Sequence, residues 1–212
     1  MPYKKAIAVL ASGSGTNLQS IIDAINNKTL ENTEIAIVIS NKNDAYALKR
    51  AETNGIKTFF LNPKDFPGNL EYDKKLVEVI SNYKVDLIIL AGYMKILTSV
   101  FINAFSGKII NIHPSLLPAF GGKGMYGAKV HEAVLKSRIK ESGCTVHYVT
   151  EEIDGGPVIA QEKVPVLKED TVEILSKRVL AKEHELLVKA IKRILINPRH
   201  CEEARSADEV IS

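Results

Sequence analysis

Five short apolar runs, at residues 6–10, 35–39, 58–61, 85–90 and 109–112, punctuate the first half of the chain, and none has a polar face. A strand without a polar face must be covered on both sides, as strands of parallel sheets are. The stretches between them carry helical spacing. Leu18, Ile21, Ile22 and Ile25 fall on one stripe, and Leu76, Val77 and Ile80 on another. Strand, helix and strand repeated in this way predict a right-handed βαβ series.

The second half reads differently. Residues 114–127 hold two prolines and four glycines without periodicity, which predicts a long functional loop. A helix is expected from about 126 to 137, then strands at 144–150 and 158–166 flanking a turn at 152–157. Asp170 with Glu173 three residues later reads as the N-cap of a long last helix. The expectation is therefore a single-domain α/β fold. Its mostly parallel twisted sheet has about seven strands, with helices on both faces. Residues 1–198 form that domain, and 199–212 read as a flexible, solvated C-terminal tail.

Composition narrows the class. Hydrophobic residues are 45% and charged residues 25% of the chain, which fits a soluble globular protein. The formal charge of 28 − 25 = +3 is too weak and dispersed for a nucleic-acid footprint. Two cysteines cannot build a disulfide framework, and no apolar run reaches the ~18 residues of a membrane span. The expected location is the cytoplasm, with no membrane or nucleic-acid partner. No His or Cys spacing predicts a metal.

Two segments carry chemistry. The first run passes into Ser12-Gly13-Ser14-Gly15-Thr16-Asn17-Leu18-Gln19. Glycines allow a tight turn and close ligand approach. Thr16 and Gln19 have capping-box spacing, and free amides at a helix start favour an anion. A phosphate site at Gly15, Thr16 and Asn17 is one reading, and a plain strand-to-helix turn is the other. Neither the dinucleotide fingerprint nor the triphosphate loop fits. The second segment is Asn111-Ile112-His113-Pro114. Alternation along a strand puts Asn111 and His113 on one face, and Pro114 keeps the segment extended. A fixed amide donor beside a titratable imidazole suits a developing oxyanion. Asp154, in its Gly-Gly-Pro turn, is the candidate carboxylate to orient the imidazole.

In order along the chain, these motifs resemble those of the phosphoribosylglycinamide formyltransferases. The segments 12–19, Ala91-Gly92-Tyr93-Met94-Lys95-Ile96-Leu97, 111–118, Gly121-Gly122-Lys123-Gly124-Met125-Tyr126-Gly127 and Asp154-Gly155-Gly156-Pro157 carry the resemblance, which covers about residues 5 to 195. It implies a formyltransferase-like fold, with a phosphate-binding half at about 1–100 and a folate and catalytic half at about 101–198. The implied reaction passes the formyl group of 10-formyltetrahydrofolate, a co-substrate, to the amine of glycinamide ribonucleotide. No metal is involved. By resemblance, Asn111 and protonated His113 stabilise the oxyanion, and Asp154 pairs with His113. Gly15, Thr16, Asn17 and Glu183 hold the ribonucleotide. Met94, Lys95, Ile96 and Leu97 line the folate side with Asn111. Asn69 stands where relatives often carry a basic residue facing the folate, and Lys64 is its candidate substitute. The assembly expected is a monomer or homodimer. A formyltetrahydrofolate deformylase-like hydrolase and a non-catalytic folate or nucleotide binding module are the alternatives. The deformylases normally add an amino-terminal domain, and methionyl-tRNA formyltransferases a carboxyl-terminal one. A length of 212 residues is expected to leave no room for either.

Overall fold

The computed structural model describes residues 4–196; the tail assigned to 199–212 lies outside them. Seven strands make one sheet. They are β1 (Lys5–Leu10), β2 (Thr33–Ser40), β3 (Thr58–Phe60), β4 (Leu87–Leu90), β5 (Ile109–His113), β6 (Glu141–Tyr148) and β7 (Val158–Pro165). Their spatial order is β3-β2-β1-β4-β5-β6-β7. The first five are parallel, and β6 and β7 add antiparallel to that edge.

Alternation along the parallel strands feeds two apolar layers. Ile7, Val9, Leu87, Ile89, Ile110 and Ile112 pack against helices α1 (Thr16–Asn26), α2 (Tyr46–Thr53), α5 (Ala128–Ser137) and α6 (Val172–Ile196). Ala8, Leu10, Ile37, Ile39, Ile88 and Leu90 pack against α3 (Asn69–Ser81) and α4 (Ser99–Ala104). Helices thus cover both faces, as apolar runs without a polar side require. Leu10 pairs with Leu90, and Leu90 with Asn111. The carboxyl ends of β1, β4 and β5 therefore lie side by side, where open α/β sheets place ligands.

Several boundaries differ from the sequence expectation. Gly15, in the left-handed region at φ 70°, occupies the N-cap of α1, and no side chain caps that helix. Thr16 is displaced into the first turn, so the Thr16–Gln19 capping box does not form. At α6, Thr171 Oγ1 accepts from Ile174 N at 3.3 Å. Asp170 is engaged elsewhere, accepting from Arg178 through both oxygens at 2.6 and 2.7 Å. A bidentate ion pair outweighs one cap bond. Helix α5 begins at Ala128, after Gly127 turns at φ 53°. Strand β6 starts at Glu141, three residues before the expected strand, because its pairing with β7 already begins at Glu141 and Pro165.

Candidate functional site

A cleft of about 620 Å³ opens over the carboxyl ends of β1, β4 and β5, within the range of small-molecule sites. One end is the glycine loop, residues 12–17. Because α1 has no side-chain cap, the N–H groups of Ser14, Gly15, Thr16 and Asn17 donate to no group among the described residues. These amides sit at the positive end of the α1 dipole. A Cβ on Gly15 would lie 2.7 Å from Ala47 Cα, so only glycine lets the loop seat this closely on α2. Asn17, buried in the first turn, donates from Nδ2 to Glu183 Oε2 at 2.7 Å. Burial on α6 pushes the Glu183 carboxyl up, and the Asn17 bond works against it.

The centre of the cleft holds two histidines and a carboxylate. His113 Nε2 lies 2.9 Å from the carbonyl oxygen of Phe120. A carbonyl can only accept, so Nε2 carries a hydrogen. His113 Nδ1 faces Asp154 Oδ2 at 3.6 Å, an ion-pair separation rather than a hydrogen bond. Gly122 N, in the 114–127 loop, donates to the same Asp154 oxygen at 2.9 Å.

Strand pairing sets His147 directly opposite Asn111. His147 Nδ1 donates to Tyr148 O at 2.9 Å. Its Nε2 is then the acceptor in the neutral ring, and Asn111 Nδ2 donates to it at 3.1 Å. Burial holds the His147 pKa below the ordinary imidazole value, although the Tyr148 carbonyl and Asp154 pull the other way. A neutral His147 therefore fixes the Asn111 amide, leaving its second Nδ2 hydrogen for a ligand. Asp154 Oδ1 stands 3.6 Å from His147 Nε2. Asn111, His113 and Asp154 thus converge, with His147 as a fourth member that the sequence analysis did not single out. His147 lies in the strand expected at 144–150, but its pairing with the Asn-His strand could not be read from the sequence.

The far end is built by residues 91–97. Met94, Lys95, Ile96 and Leu97 all line the cleft, with Met94 and Ile96 exposed. Ser12 Oγ accepts from Met94 N at 2.8 Å and donates to Asn41 Oδ1 at 2.6 Å, which joins this loop to the glycine loop. Asp73, buried on α3, accepts from Thr98 N at 2.5 Å and anchors the other side. Lys95 Nζ donates to Asn69 Oδ1 and stands 4.7 Å from the centre of the Tyr72 ring. Asn69 therefore meets the cleft through Lys95. Lys64 lies in a short 3-10 turn at Pro63–Asp65, away from the cleft lining. Lys42, Lys123 and His131 line the cleft without having been singled out from the sequence. Buried His131 is held below the ordinary imidazole range by desolvation, reinforced by nearby His113. Among the described residues, no group of three or more His, Cys, Asp or Glu side chains could hold a metal ion. No described helix is long and apolar enough to cross a membrane.

A family model described as formyl transferase matches residues 5–191. The chain belongs to the formyl transferase family. Membership makes it a transferase and implies a folate-derived formyl donor. It is 46% identical over 188 residues to a phosphoribosylglycinamide formyltransferase of Haemophilus influenzae, covering 89% of this chain and 86% of that protein. A chloroplastic phosphoribosylglycinamide formyltransferase of Arabidopsis thaliana is 42% identical over 194 residues. There the alignment takes 91% of this chain but 66% of the plant protein. Among solved structures, glycinamide ribonucleotide transformylase 1 from Symbiobacterium toebii superposes with a TM-score of 0.85 at 43% identity. That match covers 91% of this chain and 88% of the other. The α/β fold of this formyl transferase is thus shared with a glycinamide ribonucleotide transformylase.

Proposed function

We propose that this formyl transferase moves the formyl group of 10-formyltetrahydrofolate to the amine of glycinamide ribonucleotide. The products are formylglycinamide ribonucleotide and tetrahydrofolate. The observation that carries this reading is the joining, in one cleft, of an amide loop with open donors to the Asn111–His113–Asp154 cluster. The relatives' activity supports the ribonucleotide acceptor, and formyl transferase membership implies the folate-derived donor.

The chemistry balances without a covalent enzyme intermediate. The amine lone pair attacks the formyl carbon, and the carbonyl oxygen takes up negative charge. Asn111 Nδ2 and the His113 imidazolium stabilise that charge. The amine nitrogen loses a proton, the bond from carbon to the folate nitrogen breaks, and that nitrogen gains a proton. His113 passes the proton, and Asp154 holds the imidazolium and helps route the proton given up by the amine. His113 Nε2 is bonded to Phe120 O, so the 114–127 loop must move that carbonyl aside before Nε2 can reach substrate.

The amides of Gly15, Thr16 and Asn17 hold the phosphate, and Glu183 contacts the ribonucleotide. Met94, Lys95, Ile96, Leu97 and Asn111 line the folate, with Asn69 setting the position of Lys95. Ribonucleotide phosphate binding belongs to the half at about 1–100. Formyl transfer belongs to the half at about 101–198, with the 94–97 loop at their seam. A hydrolytic reading would place water where the amine stands, and the open amide loop gives that reaction nothing to bind.

A crystal structure with an unreactive folate analogue and glycinamide ribonucleotide tests this assignment. The phosphate should lie on the 14–17 amides. The atom standing for the formyl oxygen should be within hydrogen-bond reach of Asn111 Nδ2 and His113, with Phe120 O released. A folate bound away from Asn111, or a phosphate elsewhere, would overturn it.

A further inference from the structure

The glycine loop is held in place from behind by α2. Gly13 O accepts from Ala47 N at 3.1 Å, and Ser14 O accepts from Arg50 Nε at 2.8 Å. In a trans peptide the C=O and the following N–H point in opposite directions. The first bond therefore turns Ser14 N–H away from α2, and the second turns Gly15 N–H the same way. Ser14 and Gly15 line the cleft, whereas Ala47 and Arg50 do not. Two successive N–H groups facing one side form an anion-binding concavity. Ala47 contributes a backbone group that any residue could supply. Arg50 contributes a side chain.

That side chain is fixed by more than one contact. Arg50 Nη1 donates to Gln19 Oε1 on α1 at 3.1 Å. Its guanidinium carbon stands 4.9 Å from the centre of the Tyr46 ring. The planar fork thus spans the Ser14 carbonyl and the first turn of α1 together, which the point charge of lysine cannot reproduce. We propose that Arg50 is a positioning residue for the phosphate-bearing substrate: it orients the Ser14–Gly15 peptide so that Gly15 N–H faces the cleft, without touching the substrate. This rests on the reading of the loop as the phosphate site.

Kinetics with glycinamide ribonucleotide and with its dephosphorylated riboside test the proposal, using the wild type, Arg50→Met and Arg50→Lys. Loss of a charge-assisted bond that sets one donor should raise KM for the ribonucleotide by on the order of 10-fold in Arg50→Met. Turnover should stay within about twofold, and KM for the formyl donor should not change. Activity on the riboside should equal that of the wild type. Arg50→Lys, which keeps the charge and one donor, should raise the same KM by roughly threefold and carries the test if Arg50→Met does not fold. The proposal is overturned if a folded variant leaves the ribonucleotide KM unchanged, or weakens ribonucleotide, riboside and formyl donor alike. A wild type indifferent between ribonucleotide and riboside would overturn the phosphate reading itself, and the proposal with it.

Discussion

His113 shares a strand face with Asn111, with Phe120 O 2.9 Å from its Nε2 and Asp154 Oδ2 3.6 Å from its Nδ1. Replacing it with alanine removes the proposed oxyanion donor and proton carrier together. Turnover of His113→Ala should fall by about 100-fold or more, measured as tetrahydrofolate formed under saturating substrates. Activity within a few-fold of wild type would refute its role. The Asn111 and His113 side chains were legible from the sequence because strand alternation and Pro114 fix their common face. His147 was not. Its value comes from standing opposite Asn111 and from the Tyr148 carbonyl that sets its tautomer, and both depend on a pairing between distant segments.

The β6–β7 turn delivers Asp154 and leaves its glycines little room. A Cβ on Gly156 would fall 2.0 Å from the backbone oxygen of Tyr148, which cannot move without opening β6 from β7. Gly156→Ala should cost about 1–3 kcal/mol of stability by overpacking and should lower turnover by shifting Asp154. Urea unfolding reads the first effect, and unchanged stability would contradict the close approach. At this scale the parallel strands were legible because an apolar run with no polar face has few other uses. Helix starts were less so. Gly15 displaced Thr16 from the α1 cap because the loop packs on Ala47, and Arg178 drew Asp170 away from the α6 cap. Each outcome is set by a tertiary contact that local spacing does not contain.

Across the molecule, buried His131 and His147 and half-buried His184 set the expected response to acid. Desolvation is the leading cause that lowers the pKa of His131, His147 and His184. Their charged forms are disfavoured in the fold, so the unfolded chain binds more protons once the pH drops below the ordinary histidine value of about 6.5. Their contribution is complete above that value and is lost as pH falls through the lower folded values. Buried Asp73 and Glu183, shifted upward by burial, act with the opposite sign. A comparison with His131→Gln isolates one histidine. Between pH 7 and 5 the wild type should lose up to about 1.4 kcal/mol more per pH unit than the variant, read from urea unfolding. Identical slopes would contradict a neutral, buried His131. The layered sheet was legible at this scale, and its strand order was not, because periodicity says nothing about which edge β6 and β7 join. The whole cleft is tested most directly by the release of tetrahydrofolate from 10-formyltetrahydrofolate with and without glycinamide ribonucleotide. Release should depend on the ribonucleotide and match, mole for mole, formylated ribonucleotide. Release at the same rate without the ribonucleotide, or none with it, would contradict the proposed transfer.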